Sequence, residues 1–334
     1  MTLLSVLDQT PVIDGHTVAD AIAATVELAQ LADDLGYTRY WCAEHHGLYG
    51  VSNPCPEVML ARLGSVTKRI RIGSGGIMLP YYSPFKVAEQ FMMLEALFPN
   101  RVDLGVGRAP GGDMRTAQAV AAGAYNRGEQ FPQQVADLVG LIDGTLPSDH
   151  LGSGVLLQPQ IETRPQLWVL GSSDFGGMLA AQLGIRFSFA HFINAHFGHA
   201  VAHAYRDRFR AGHEQKPYLA AAVFVICADT EREAADLEKA VDLRRVQMAY
   251  GLNAPIPSIE QGLAQEYGER EVLIIDREKP RSIIGTPETV TERMRALQEQ
   301  FNADELIVLT VAGSYRARRR SYELLAGAFE LGKS

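Results

Sequence analysis

The sequence predicts an α/β protein built as a (β/α)8 TIM barrel with short insertions. Three observations lead there. Eight short apolar runs alternate with longer amphipathic runs along the 334 residues, the pattern of parallel β/α units. Polar and glycine-rich stretches follow directly after the apolar runs, where a parallel barrel keeps its functional loops. A final helical run comes after the eighth strand, as closure of a barrel requires. A doubly wound open sheet is the rival. It needs a break between two halves, and no linker-like stretch divides the chain, so one barrel domain over residues 1–334 is expected.

The elements follow in order. Leu3–Leu7 (LLSVL) reads as a buried strand. Thr17, with Asp20 three residues on, caps a helix whose Val18, Ile22, Ala29 and Leu35 recur at helical spacing, and Gly36 ends it. Tyr40–Ala43 is the second strand and Pro56–Thr67 the second helix; Ile70–Leu79, with three glycines, is the third strand. A helix over Pro84–Leu97 leads to the fourth strand, Val102–Val106. Residues 113–143 read as one or two helices broken near Gly123, Gly128 and Pro132, and 152–165 as a small hairpin. Leu167–Leu170, Phe187–Ala190 and Leu219–Cys227 are strands five to seven, with helices at Phe175–Leu183, Ala200–Arg210 and Thr230–Tyr250. Residues 251–285, with Pro255, Pro257 and Pro280, read as irregular. Thr286-Pro287-Glu288 is a cap followed by proline at the first helical position. Leu306–Leu309 is strand eight, and Tyr315–Leu331 the closing helix.

Composition narrows the clients. With 31 basic against 39 acidic side chains the net charge is −8, which argues against a nucleic-acid binder and for small molecules. The Arg316–Arg320 run reads as a solvated helix face. Cys42, Cys55 and Cys227 are scattered, suggesting neither a disulfide framework nor a zinc site. No basic stretch opens the chain, so no signal peptide is expected. No apolar run reaches the ~18 residues of a membrane span. A cytoplasmic protein is the resulting expectation.

The strand ends carry the candidate chemistry: Asp8-Gln9-Thr10, Glu44-His45-His46, Gly75-Gly76, Gly107-Arg108, Ser172-Ser173 and His191. Gly75-Gly76 inside an apolar strand fits either a flat ligand against bare peptide or a bulge at a barrel corner. The Arg108 fork suits a phosphate, or a salt bridge to a neighbouring loop. Ser172 and Ser173 precede a helix, so they read as an anion site or as simple caps. Adjacent residues on a strand point to opposite sides. One of His45 and His46 can therefore face the mouth and exchange protons near neutral pH while the other packs or hydrogen-bonds; a purely structural pair is the alternative. His196, His199 and His203 share helical spacing, but without H-E-x-x-H they read as an exposed face, and no metal is expected. Tyr81-Tyr82-Ser83 with Phe187, Phe189, Phe192 and Phe197 suggest an aromatic pocket, with core packing for most of the phenylalanines.

Taken together, AEHH, GSGGIMLPYYSPFKVAEQ, DLGVGRAPGG, VLGSS and IIGTPETV, each at its strand end, resemble the bacterial luciferase-like flavin-dependent monooxygenases. The likeness is closest to the single-chain luciferase-family oxidoreductase branch and runs from about residue 3 to 330. It implies reduced FMN (FMNH2) from a separate flavin reductase, dioxygen, and oxidation of a small organic substrate through a flavin hydroperoxide. It also implies His45 as the catalytic histidine with His46 in support, and Gly75-Gly76 against the flavin ring, where the family tends to have a non-proline cis peptide. Arg108, Ser172 and Ser173 would hold the phosphate. That puts the phosphate by strands four and five, not seven and eight as in barrels generally. Relatives commonly dimerise, so a homodimer is expected. Gly107 stands where the light-emitting subunit has a reactive cysteine, and residues 251–285 are shorter than its covering segment; both speak against light emission. The loop after Val51 and residues 251–285 are the lid candidates. An F420-dependent hydride-transfer enzyme, a flavin-binding protein without turnover and an unrelated barrel hydrolase using the histidines are the alternatives.

Overall fold

The computed structural model describes residues 2–108, 113–121 and 127–332. In chain order the elements are β1 (Leu3–Asp8), α1 (Val18–Leu35), β2 (Arg39–Cys42), α2 (Pro56–Val66), β3 (Arg71–Met78), α3 (Pro84–Leu97) and β4 (Val102–Gly107). Then come α4 (Met114–Val120), α5 (Phe131–Asp143), β5 (Gln166–Gly171), α6 (Asp174–Leu183), β6 (Arg186–Ala190), α7 (Gly198–Asp207) and β7 (Leu219–Cys227). The chain continues with α8 (Glu231–Ala249), α9 (Ile259–Ala264), α10 (Glu269–Glu278), β8 (Ser282–Gly285), α11 (Pro287–Phe301), β9 (Glu305–Leu309) and α12 (Tyr315–Ala328).

The barrel closes as expected. Strands β1 to β7 pair in sequence from β1–β2 through β6–β7, and β9 joins β7 to β1, all in parallel. The eight strands read from the sequence are these eight. The addition is β8, which extends the end of β7 from Phe224↔Ser282 to Cys227↔Gly285.

Local chemistry explains where the elements start and stop. Thr17 and Asp20 form the reciprocal capping box of α1, and Gly36 closes it at φ 87°, a left-handed conformation that glycine adopts without steric cost. Pro132 lies in the first turn of α5 instead of breaking it, because a first-turn N–H has no helical partner to lose. The expected break near Gly123 lies outside the described residues.

Three expectations need correction. Residues 152–165 contain no strand and form a loop, not a hairpin. Residues 251–285 are not irregular: they hold α9, α10 and β8. A Ser258–Gln261 capping box starts α9 just after Pro257, and Pro280 sits in a single 3-10 turn before β8, so the prolines punctuate short elements instead of abolishing them. Nor is the Arg316–Arg320 run simply a solvated face. Arg319 and Arg320 pair with exposed Glu323 and Asp229, but Arg318 is only 2% exposed and meets Asp8 at 2.6 Å. One turn of α12 thus points a cation inward to neutralise a buried carboxylate at the end of β1.

Apolar residues form two shells. The outer shell packs strands against helices and includes Phe91, Phe187, Phe189 and Tyr322. The inner one fills the barrel, with Leu7, Trp41, Trp168, Ala220 and Ile307, and its two tryptophans meet edge to face at 4.9 Å, a favoured aromatic geometry. Below them Arg39 bridges Asp103 and Glu305 at 2.7 Å each, and Arg71 takes the other Asp103 oxygen at 2.7 Å. Burial opposes ionisation of Asp103, yet Arg39 and then Arg71 outweigh it and hold its pKa low. This charged plug fills the N-terminal end of the barrel and leaves the mouth at the C-terminal end.

Candidate active site

A cavity of about 1470 Å³ occupies that mouth. All eight barrel strands contribute to its wall: Leu7, Trp41, Gly75, Gly107, Leu170, Ser188, Ala222 and Ile307 come from different strands. The volume exceeds the ~300–1,000 Å³ of a pocket for one drug-sized ligand, leaving space for two molecules side by side.

The structure brings six of the seven site residues read from the sequence to this cavity: His45, Gly75, Gly76, Arg108, Ser172 and Ser173. His46 does not line it. Its Nε2 donates to Glu44 Oε1 at 2.7 Å, so in the loop after β2 one histidine faces the cavity and the other hydrogen-bonds.

Glu44 organises this corner. It is 2% exposed, lines the cavity, and accepts hydrogen bonds from His46, from the Tyr82 hydroxyl at 2.5 Å and from the Met78 amide at 2.8 Å. Burial first, and the bond to Glu44 second, push the Tyr82 hydroxyl pKa far up, so it stays a donor. Glu44 stands in the AEHH motif, but its partners Tyr82 and Met78 lie more than 30 residues further along the chain. His45 is half-buried, with its amide on Asn53 O at 3.0 Å and its Nδ1 buried without a partner among the described residues. Burial lowers its pKa to about 4, against the opposing pull of Glu44 and with help from His46. At neutral pH the imidazole is therefore uncharged and able to give or take a proton.

On β3 the Gly75–Gly76 peptide is cis, and the register with β4 shifts between Gly75 and Ile77. The bulge and the bare-peptide readings describe the same place, because this irregular stretch lines the cavity. A Cβ on Gly76 would stand 2.8 Å from Gly105 O and 3.0 Å from Gly105 C, so no side chain fits between β3 and β4.

At the β4–β5 side, the Arg108 guanidinium carbon lies 4.3 Å from the ring centre of Phe175, a residue of the first turn of α6. This cation–π contact holds the exposed arginine beside the start of that helix. Among the described residues Arg108 has no ion pair, so the loop salt bridge is not what occupies it. Ser173 is the N-cap of α6 but makes no capping hydrogen bond; the Phe175 amide donates to Asp174 Oδ1 at 2.9 Å, which leaves the Ser173 hydroxyl and the other first-turn amides for a ligand. A guanidinium, a free hydroxyl and a helix N-terminus together form an anion cradle.

The remaining candidates lie elsewhere. Asp8 is buried against Arg318. His191 is buried outside the cavity wall, and burial, with Arg293 and His196, lowers its pKa to about 4. His196 precedes α7 instead of sharing its face, and His203 Nε2 donates to Gln300 O at 3.3 Å. No group of three potential metal ligands converges among the described residues. Phe187 and Phe189 pack in the outer shell and Phe197 is 78% exposed, leaving Phe192 and Tyr81 on the cavity wall. Neither lid candidate lines the cavity. Its cover comes instead from α4 and the start of α5, through Met114, Ala117, Phe131 and Pro132. The loop after β2 is tied to the 251–285 segment, since the Tyr49 amide donates to Asn253 and Asn253 donates to Gly47 O, each at 2.8 Å.

Comparison with known proteins agrees across the chain. The model of the luciferase-like monooxygenases matches residues 2–303. The chain is 42% identical over 330 residues to the uncharacterised protein YceB of Bacillus subtilis (strain 168), covering 98% of this chain and 100% of that one. It is 36% identical over 332 residues to the N-acetyl-S-alkylcysteine monooxygenase of the same organism, covering 98% of each. Among solved structures, apo-MsnO8 has a TM-score of 0.91 at 34% identity over 99% of both chains. Two others share the fold at lower identity. The oxygenating constituent of 3,6-diketocamphane monooxygenase of Pseudomonas putida, in complex with FMN, has a TM-score of 0.70 at 17% identity, covering 98% of this chain and 97% of that one. An F420-dependent secondary alcohol dehydrogenase has a TM-score of 0.68 at 14% identity over 98% of both chains. No described helix is long and apolar enough to cross a membrane.

Proposed function

The chain belongs to the family of luciferase-like monooxygenases, and we propose that within it the protein is an FMN-dependent enzyme that oxygenates a small organic substrate. The observation that carries this reading is the pairing of an anion cradle (Arg108 over Phe175, beside the free Ser173 hydroxyl) with a side-chain-free wall at Gly75-Gly76, in one cavity. A flavin mononucleotide needs both, a dianion holder at one end and a flat bare surface at the other. The donor set therefore fits the group.

When bound, reduced FMN would supply the two electrons with which dioxygen gives one atom to substrate and the other to water. The chain's own residues do the rest. Arg108, Ser172, Ser173 and the start of α6 hold the phosphate. Gly75 and Gly76 let the ring lie against backbone. His45, uncharged at neutral pH and lining the cavity, gives or takes the proton that oxygen chemistry requires. His46 acts through Glu44, keeping that buried carboxylate fixed. Buried Phe131 and its neighbour Pro132 at the start of α5 keep part of the cavity wall apolar, which limits water around a reactive reduced cofactor. The same reading takes residues 1–334 as one barrel domain, a homodimer in the cytoplasm, served by a separate flavin reductase.

The test is a single turnover in oxygenated buffer with photoreduced FMN and a panel of small organic substrates. Wild type yields oxygenated product, and His45→Ala yields at least tenfold less. Undiminished product from His45→Ala removes the role assigned to that residue. Hydride transfer from reduced F420, with no use of dioxygen, replaces FMN by F420 as the cofactor. Tight flavin binding with no product from any donor makes the protein a carrier.

A further inference from the structure

Ala190 of β6 pairs in register with Ala222 of β7, and Ala222 with Ile307 of β9, strands that stand two, three and four places round the barrel from β4, which carries Arg108. All three line the cavity, with Phe192 after β6. Ser188, two residues before Ala190 on the same strand face, also lines it. Ser188 is only 2% exposed, and its hydroxyl has no hydrogen-bond partner among the described residues. A hydroxyl so placed gains from a partner supplied by whatever fills the cavity that it lines.

We propose that this wall is the substrate subsite, and that Ser188 determines specificity for an uncharged, mostly apolar molecule carrying one hydrogen-bonding oxygen or nitrogen. The wall chemistry selects the class. Alanine, isoleucine and phenylalanine side chains offer a charged group nothing to replace its water, so an ionised substrate pays the full desolvation cost. A purely apolar substrate leaves the Ser188 hydroxyl unpaired, which is the stronger discriminator in a site built around a polar group. His45 is held uncharged, and Arg108, which follows β4 two strands from β6, is taken by the phosphate.

This inference rests on the FMN reading only in assigning Arg108 to the cofactor, and its test separates the two. Octane, 2-octanone and octanoate are titrated into the protein and binding is followed by tryptophan fluorescence, since Trp41 lines the cavity and Trp168 packs against it. Reduced FMN is titrated anaerobically in parallel. Wild type should bind 2-octanone more tightly than octane or octanoate. Ser188→Ala should weaken 2-octanone by about tenfold, leaving octane and reduced FMN unchanged; Ser188→Cys, of similar size, should act the same way and so guards against a packing effect. Octanoate binding as tightly as 2-octanone, or no probe binding at all, overturns the proposed class. A loss confined to reduced FMN in Ser188→Ala overturns the role of Ser188 and gives its hydroxyl to the cofactor. Failure of reduced FMN to bind wild type, with the 2-octanone pattern intact, overturns the cofactor reading alone.

Discussion

His46 Nε2 and Glu44 Oε1 lie 2.7 Å apart across the end of β2, and the same carboxylate is held by Tyr82 and the Met78 amide. Glu44 thereby links the strand that carries the histidines to the strand that carries Gly75-Gly76. All three of its partners are donors. A glutamine keeps the Met78 amide only with its own NH2 toward His46 and Tyr82, which must then both turn from donating to accepting, and it loses the charge that strengthens all three bonds. Glu44→Gln should therefore cost about 1–3 kcal/mol, read from urea unfolding. Tyr82→Phe should cost less, because two donors remain. A neutral Glu44→Gln would show that the carboxylate does not organise this corner.

Acid should destabilise the protein through half-buried His45 and buried His191. Burial is the main cause that lowers the pKa of His45 and His191 to about 4, against an unperturbed value of 6.5. Between those values the unfolded chain binds protons that the folded chain refuses, so stability is complete above about pH 6.5 and falls as pH drops toward 4. Each group contributes a slope of at most ~1.4 kcal/mol per pH unit. Urea midpoints from pH 7 to 4.5 should fall less steeply in His191→Leu than in wild type. Parallel slopes would contradict the assignment.

The two glycines of β3 should not be equivalent. At Gly75 an added Cβ meets Leu7 Cδ1 at 2.6 Å, the end of a flexible side chain, and Trp41 Cβ at 3.0 Å, a neighbour that must give by only a few tenths of an ångström. At Gly76 it meets the backbone of Gly105 at 2.8 Å and 3.0 Å. Gly76→Ala must therefore push β3 from β4, at about 1–3 kcal/mol, and should lose more reduced-FMN affinity than Gly75→Ala. Thermal unfolding and cofactor titration of both variants check the order; equal losses would contradict it.

Much of this was legible because it repeats at short range. The alternation of apolar runs exposed the eight barrel strands, and caps such as Thr17–Asp20 and Gly36 are local chemistry that no distant contact overrides. What escaped depended on partners far along the chain. Arg318 looked like one of four solvated arginines until the fold placed Asp8 beneath it, 310 residues away in sequence (318 − 8). Glu44 was visible in its motif, but its role depends on Tyr82 and Met78. A signal for Ser188 was present and unused. In Phe187-Ser188-Phe189-Ala190 the large residues alternate with small ones, and that period of two turns the phenylalanines toward the helices and the serine toward the cavity. The cover from α4 was hidden because no residue of that helix is buried, so its sequence carries little core pattern.

The central claim is that Arg108 and the start of α6 hold the phosphate of reduced FMN. Anaerobic titration of wild type and Arg108→Ala with photoreduced FMN, and separately with reduced F420, tests it directly. Because Arg108 is exposed and has no ion pair among the described residues, only its contact with the Phe175 ring, its removal should lower stability by no more than about 0.5–1 kcal/mol. Reduced FMN should bind wild type in preference to F420 and bind Arg108→Ala about 10- to 100-fold more weakly, the loss of charge-assisted bonds to a phosphate. Equal affinity of the two proteins for reduced FMN, or a preference of wild type for F420, would contradict it.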